Sequence, residues 1–257
     1  MHPLQTIAVR AARAAGDTIM RATENMDKVK TDVKGRNDFV TDIDHRAEQR
    51  IIETIQKTHP NHAFFAEESG QTGEESEVEW VIDPIDGTTN FVRGIPHFAV
   101  SIAAQVKGKL EVGVIYDPVR EELFTASRGN GAQLNGKRIR VAQATNLEQT
   151  LLATGFPYRN MDKFERYQEI FAKLYPQVSD MRRAGSASLD LAYVAAGRFD
   201  GFWEYGLKWW DIAAGSLIVT EAGGMLSDLS GNPNFKNAES LLAANPKIFK
   251  TILAAIR

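Results

Sequence analysis

Apolar residues recur along this chain with two different periods. Near the N-terminus the period is helical. Ile7, Ala11, Ala15 and Ile19 lie four apart, and Leu4, Ala8, Ala12 and Thr18 widen the face, which predicts an amphipathic helix over residues 3–24. A second helix begins at Thr41-Asp42, carries Ile43, Ala47, Ile51 and Ile55 on one face, and stops at His59-Pro60-Asn61. The polar stretch between them, Lys28 to Asp38 with Lys34-Gly35-Arg36 inside it, reads as a mobile loop. The pattern then changes. Ala63–Ala66 is a short buried strand followed by Glu67-Glu68-Ser69-Gly70, and the acidic run from Glu74 to Glu79 reads as a solvated loop. Trp80-Val81-Ile82 is a second buried strand end. Phe98–Val106, Leu110–Tyr116 and Glu122–Ala126 are strands with tight turns between them, and a further pair is expected around 131–136, so this part is an antiparallel meander.

Beyond a break at Thr145-Asn146 the two periods alternate. Leu151–Ala153 reads as a strand and Met161–Leu174 as a helix. Arg182–Ser188 is a small-residue loop, its Arg182-Arg183 pair taken as solvated, and it opens a helix over Leu189–Ala196. Phe199–Glu204 is a strand. Asp211 is placed as the N-cap of a helix over Ile212–Ala222 that Gly223-Gly224 closes. Met225–Asp228, Leu241–Ala244 and Lys247–Ile256 follow as strand, strand and helix. The expectation is an α+β chain in two domains, 1–144 and 145–257.

Composition narrows the chemistry. The chain has 257 residues, a net charge of −3 and no cysteine, and its pI is about 6.0. Nothing in that balance attracts nucleic acid or an anionic membrane. Without cysteine there is no disulfide, thiolate metal site or thiol nucleophile. No apolar run reaches the length of a membrane span and no signal-peptide core is present, so a cytoplasmic protein is expected. His2, His45, His59, His62 and His97 lack metal-ligand spacing and are read as structural.

The acids remain. In V-E-W-V-I-D-P-I-D-G-T-T-N, Asp83 and Asp86 stand three apart around Pro84, with Gly87 and Thr88 next. Asp-Pro and Asp-Gly are each ordinary turn dipeptides. The string D-P-x-D-G-T as a whole arises by chance in only on the order of one in ten thousand chains of this length. The expectation is a tight turn aiming both carboxylates at one spot, suited to Mg²⁺. Glu67 follows an apolar strand as Asp83 does, Asp211 starts a helix, and Asp44 sits in a first helical turn where the dipole alone would favour an acid.

The segments A-E-E-S, W-V-I-D-P-I-D-G-T-T-N-F and W-W-D-I-A-A-G, in this order, resemble the signature segments of the inositol monophosphatase family. The likeness runs from K-G-R-N-D-F-V-T-D-I-D to S-L-L-A-A-N-P, and L-L-A-T-G-F-P and A-Q-L-N-G point to its bacterial branch. The resemblance implies a five-layered α-β-α-β-α sandwich, commonly dimeric, that hydrolyses phosphomonoesters with two or three Mg²⁺ ions and is sensitive to Li⁺. It implies Glu67, Asp83 and the Ile85 carbonyl at one ion, and Asp83, Asp86 and Asp211 at a second. Gly87 and Thr88 would meet the phosphate, with Glu67, Ile85, Asp86 and Asp211 close to the substrate. Gly185, Ser186, Ala187 and Glu204 would face the alcohol. Thr88, backed by Asp44, would orient the attacking water beside Glu67. Inositol 1-phosphate is the expected substrate, with sugar bisphosphates and nucleotide phosphates as alternatives read through the loops at Glu204 and residues 158–166. Some relatives in the bacterial branch instead serve ribosomal RNA transcription with Nus factors and RNA polymerase, which is the competing expectation.

Overall fold

The computed structural model describes residues 2–35, 38–158 and 160–257. Helix α1 (Pro3–Thr23) is followed by a hairpin, β1 (Thr31–Gly35) and β2 (Asp38–Thr41), and by α2 (Asp42–Gln56). Then come β3 (Ala63–Ala66), β4 (Gly70–Thr72), β5 (Val78–Asp86) and the one-turn helix α3 (Thr88–Val92). The meander is β6 (Ala99–Val106), β7 (Lys109–Asp117), β8 (Glu122–Ser127), β9 (Ala132–Leu134) and β10 (Lys137–Arg138). The remainder is β11 (Leu151–Thr154), α4 (Phe164–Leu174), β12 (Asp180–Arg182), α5 (Ala187–Ala195), β13 (Gly201–Tyr205), α6 (Trp209–Glu221), β14 (Met225–Ser227), β15 (Ser240–Ala244) and α7 (Pro246–Ile256).

The strands form an eight-stranded sheet, in the order β10-β9-β8-β7-β6-β5-β3-β4, and a five-stranded sheet, β12-β11-β13-β15-β14. Side-chain alternation sorts their residues into three cores. Trp80, Ile82, Ile102, Ala104, Val112 and Val114 face α1 and α2. Val81, Ala103, Ile115 and Phe124, on the opposite face of the same sheet, meet α5 and α6, as do Ala153, Phe202, Leu241 and Ala243 of the second sheet. Leu152, Trp203, Leu242 and Ala244 turn outward to α4 and α7. The layers are therefore α-β-α-β-α, and the α+β sandwich expected from the sequence is the fold observed. The central helices read differently from the outer ones for this reason. In α6 every residue from Asp211 to Val219 is buried, whereas α1 buries one stripe.

Several local expectations are corrected. The polar stretch before α2 forms the β1–β2 hairpin rather than a free loop, with Arg36 and Asn37 outside the described residues. The acidic run ends early, because β5 already starts at Val78 and Glu79 accepts from the side chains of Gln71 and Gln105. β4, β12 and α3, each of five residues or fewer, had no readable period. Asp211 is not an N-cap. Lys208 holds that position, and Asp211 sits at the third helical residue, where its carboxylate accepts the Lys208 N–H at 2.6 Å.

The middle helix layer sits close to the first sheet because β7 has no side chain at Gly113. A Cβ there would lie 2.7 Å from the Ala214 carbonyl oxygen of α6 and 3.2 Å from its Cα. Gly113→Ala forces two backbones apart and is expected to cost about 2 kcal/mol. Chemical unfolding that gives the variant wild-type stability would show the layers are not in contact there.

Candidate functional site

Two parallel strands bring the first two acids together. β3 and β5 pair in parallel with Ala66 opposite Ile82, so Glu67 and Asp83, the next residue of each chain segment, emerge side by side. The expected tight turn at Asp83–Asp86 is instead a bulged strand. Asp83 pairs with Ser101 and Asp86 with Ala99, so that two residues on β5, Pro84 and Ile85, stand against one on β6, Val100. Side chains three apart on a regular strand point to opposite faces. The extra residue re-aims Asp86, so that both acids line the same cleft. Gly87 then turns the chain at φ 100°, and a Cβ there would sit 3.1 Å from the carbonyl oxygens of Gly185 and His97.

The same cleft is lined by Ile85, Thr88, Gly185, Ser186, Ala187, Glu204 and Asp211. Residues from both sheets and from the layer between them thus converge. β13 carries Glu204, whose carboxyl has room only because residue 155 is glycine: a Cβ on Gly155 would meet it at 2.0 Å. Asn90 of α3 ties the halves together, its amide donating to the carbonyls of His97 (2.8 Å) and Ala184 (2.9 Å).

Asp83 is the electrostatic centre. It is 1% exposed, and its Oδ1 has no hydrogen-bond partner. Burial, and then the charges of Glu67, Asp86 and Asp211, push its pKa well above the usual carboxylate range, and a hydrogen bond with Glu67 adds to the shift. Asp86 is held from the other side of the cleft. Its Oδ2 accepts the Ser186 hydroxyl (2.6 Å), the Ser188 N–H (2.7 Å) and the Ser188 hydroxyl (2.5 Å). That leaves Oδ1 of Asp86 for a ligand. Ser186 lines the cleft, but its hydroxyl is committed to Asp86 rather than presented to the alcohol side.

Asp44 lies behind the cleft wall and reaches it through Thr88. The Thr88 hydroxyl has two acceptors, Asp44 Oδ1 at 3.2 Å and the Ile85 carbonyl at 3.0 Å. Asp44 Oδ2 also accepts the N–H and hydroxyl of Thr41, in a capping box at the start of α2. Burial raises its pKa to about 6 against the lowering effect of these bonds. Neither role excludes the other: one oxygen caps the helix and the other meets Thr88.

Sequence reasoning passed over three polar residues here. Ser188 has no periodic signal. Glu48 is buried on the apolar face of α2. Asp190 is fully buried in the first turn of α5, with Oδ1 unpartnered; burial, Glu204 and Asp86 push its pKa well up, and Arg183 opposes them. An acid among apolar helical positions was the available clue to the last two. Of the histidines, His62 accepts from the Trp80 indole, His2 caps α1, and His45 is exposed.

Among the described residues, no three His, Asp or Glu side chains already close into a metal cage. The donor set nevertheless fits a hard divalent cation. It is all oxygen, it concentrates negative charge in a buried place, and it leaves the Asp83 Oδ1 without a partner. No helix among the described residues is long and apolar enough to cross a membrane.

Comparison with known proteins identifies the family and the fold. The family model described as the inositol monophosphatase family matches residues 1–257. The Nus factor SuhB of Escherichia coli is 54% identical over 258 residues, covering 100% of this chain and 97% of that protein. The crystal structure of the extragenic suppressor protein suhB from Bartonella henselae superposes with a TM-score of 0.96 at 41% identity, covering 100% of this chain and 99% of that one. An inositol monophosphatase from Anabaena gives a TM-score of 0.88 at 37% identity, over 98% and 94% of the two chains.

Asp83→Asn removes a charge that burial and three neighbouring acids disfavour. An acid whose pKa is raised on folding costs stability as pH rises above its unfolded value, and costs none below it. In chelator at neutral pH the variant is expected to melt at least about 3 °C above wild type, a difference that fades as pH falls toward 4. Equal melting at both pH values would contradict the clustering.

Proposed function

The chain belongs to the inositol monophosphatase family, and on that premise we propose that it is a Mg²⁺-dependent phosphomonoesterase acting on inositol 1-phosphate and related polyol monophosphates. The observation that carries this reading is the buried Asp83 carboxyl, its Oδ1 without a hydrogen-bond partner, among Glu67, Asp86 and Asp211. Asp83 would be shared between two ions, with Glu67 and the Ile85 carbonyl on one side and Asp86 and Asp211 on the other. When bound, Mg²⁺ supplies charge neutralisation of the phosphate and acidifies a bound water.

The chain's own residues do the rest. The Thr88 hydroxyl, pinned between Ile85 and Asp44, is placed to accept a hydrogen bond from the attacking water while its own proton points at Asp44 Oδ1. Gly87 and Thr88 present backbone to the phosphate. Ser186 and Ser188 hold one oxygen of Asp86, so its orientation survives substrate exchange. Glu204, at the far wall, accepts hydroxyls of a polyol. Mg²⁺, a homodimer and Li⁺ inhibition are parts of the same reading.

A second role has its own support. Relatives that match the whole chain at 54% identity are named Nus factor SuhB. That name supports a transcription role more directly than any match supports inositol phosphate as the physiological substrate. The reading is therefore a protein that associates with RNA polymerase and Nus factors in ribosomal RNA transcription and retains a working phosphatase cleft.

One pair of assays separates the roles. With Mg²⁺, the purified chain is expected to release phosphate from inositol 1-phosphate faster than from sugar bisphosphates or nucleotide phosphates, and Li⁺ is expected to suppress it. Asp83→Asn is expected to lower turnover by roughly a thousandfold or more, while still retaining RNA polymerase in a pull-down. Wild-type turnover in the variant would sink the metal assignment. Loss of RNA polymerase binding together with turnover would show the two roles are one.

A further inference from the structure

Two acids lie one helical turn apart on α2, both buried: Asp44 at 1% and Glu48 at 4% exposure. Side chains four apart share a helix face. Asp44 reaches Thr88. Glu48 reaches the loop that follows Glu67. Its Oε2 accepts the Glu68 N–H at 2.8 Å and its Oε1 accepts the Ser69 N–H at 2.9 Å. These are the two residues directly after Glu67. The N–H of Glu67 itself donates to the Ile82 carbonyl of β5 at 3.1 Å. The backbone is thus fixed on one side of Glu67 by β5 and on the other by Glu48.

A buried carboxylate, on a helix that also buries Ala47, Ile51 and Ile55, is unfavourable unless both oxygens are used. Here both are, and on successive backbone donors of one short loop between β3 and β4. An apolar residue would pack as well but would leave two N–H groups without these acceptors. We propose that Glu48 is a positioning residue that sets Glu67 against Asp83 by holding the loop that follows it, so that α2 aligns two residues of the cleft, Thr88 through Asp44 and Glu67 through Glu48. This rests on the reading of Glu67 as a Mg²⁺ ligand.

The test is a double-mutant cycle on the full chain: wild type, Glu48→Gln, Glu67→Gln and both together. Gln keeps the shape of Glu but offers one acceptor oxygen and turns an NH₂ toward a backbone donor. Binding of Mg²⁺ alone is followed by calorimetry, and phosphate release from inositol 1-phosphate is followed against Mg²⁺ concentration. Glu48→Gln is expected to weaken Mg²⁺ binding about tenfold and raise the Mg²⁺ needed for half-maximal turnover by the same factor. Turnover at saturating Mg²⁺ is expected within about twofold of wild type. In the Glu67→Gln background the same change alters Mg²⁺ binding less than about twofold, because its effect passes through Glu67.

Wild-type Mg²⁺ affinity in Glu48→Gln, or an equal loss in both backgrounds, overturns the proposal. If the wild type binds Mg²⁺ but releases no phosphate, the phosphatase reading fails while the calorimetric cycle still decides for Glu48. If the wild type binds no Mg²⁺, both fall. Should Glu48→Gln not melt cooperatively in chelator, amide exchange in the wild type decides instead. Glu68 and Ser69 amides protected like those of β5 support the role, and exchange at the rate of an open loop overturns it.

Discussion

The structure is organised against a repulsion. Asp83 is buried with an oxygen that meets no donor, and Glu67, Asp86 and Asp211 crowd its charge. Ser186, Ser188 and Thr88 each commit a hydroxyl to one of the surrounding oxygens, and Arg183 lines the same cleft. A fold built for stability alone would not collect four acids there. On the proposed reading a divalent cation would make the arrangement favourable, and binding and folding would be coupled through one cluster.

Holding that cluster requires the layers. The acids come from the residue that follows β3, from β5 and from α6, and Glu204 comes from β13 of the other sheet. Parallel pairing of β3 with β5 aligns Glu67 and Asp83, the bulge turns Asp86, and the tight seat of α6 against Gly113 fixes where Asp211 begins. Each is a feature of the backbone rather than of the acids themselves. A small shift between layers would separate the acids without removing any of them.

Much of this was legible in the sequence, and the parts that were not have physical reasons. The helices α1, α2 and α7 show strong amphipathic periods because they lie outside the sheets. The candidate acids were visible because each interrupts or ends an apolar run. The bulge at Asp83–Asp86 reads in the sequence as a turn, since Pro and Gly mark both, and only the pairing with β6 tells them apart. Asp211 was placed at the cap because a helix start is uncertain by a few residues, and its true position, third in the helix, follows from the Lys208 N–H. Ser188 and Glu48 act through contacts up to about a hundred residues away in the chain, which no local pattern encodes.

The most direct test of the central claim is where a divalent cation sits. Crystals grown with Mn²⁺ in place of Mg²⁺ would show it by anomalous scattering. The account predicts a peak bounded by Asp83, Glu67 and Asp86, with Asp83 Oδ1 now a ligand. Strong density elsewhere on the surface, with this cleft empty and the Asp83 oxygen still without a partner, would contradict it.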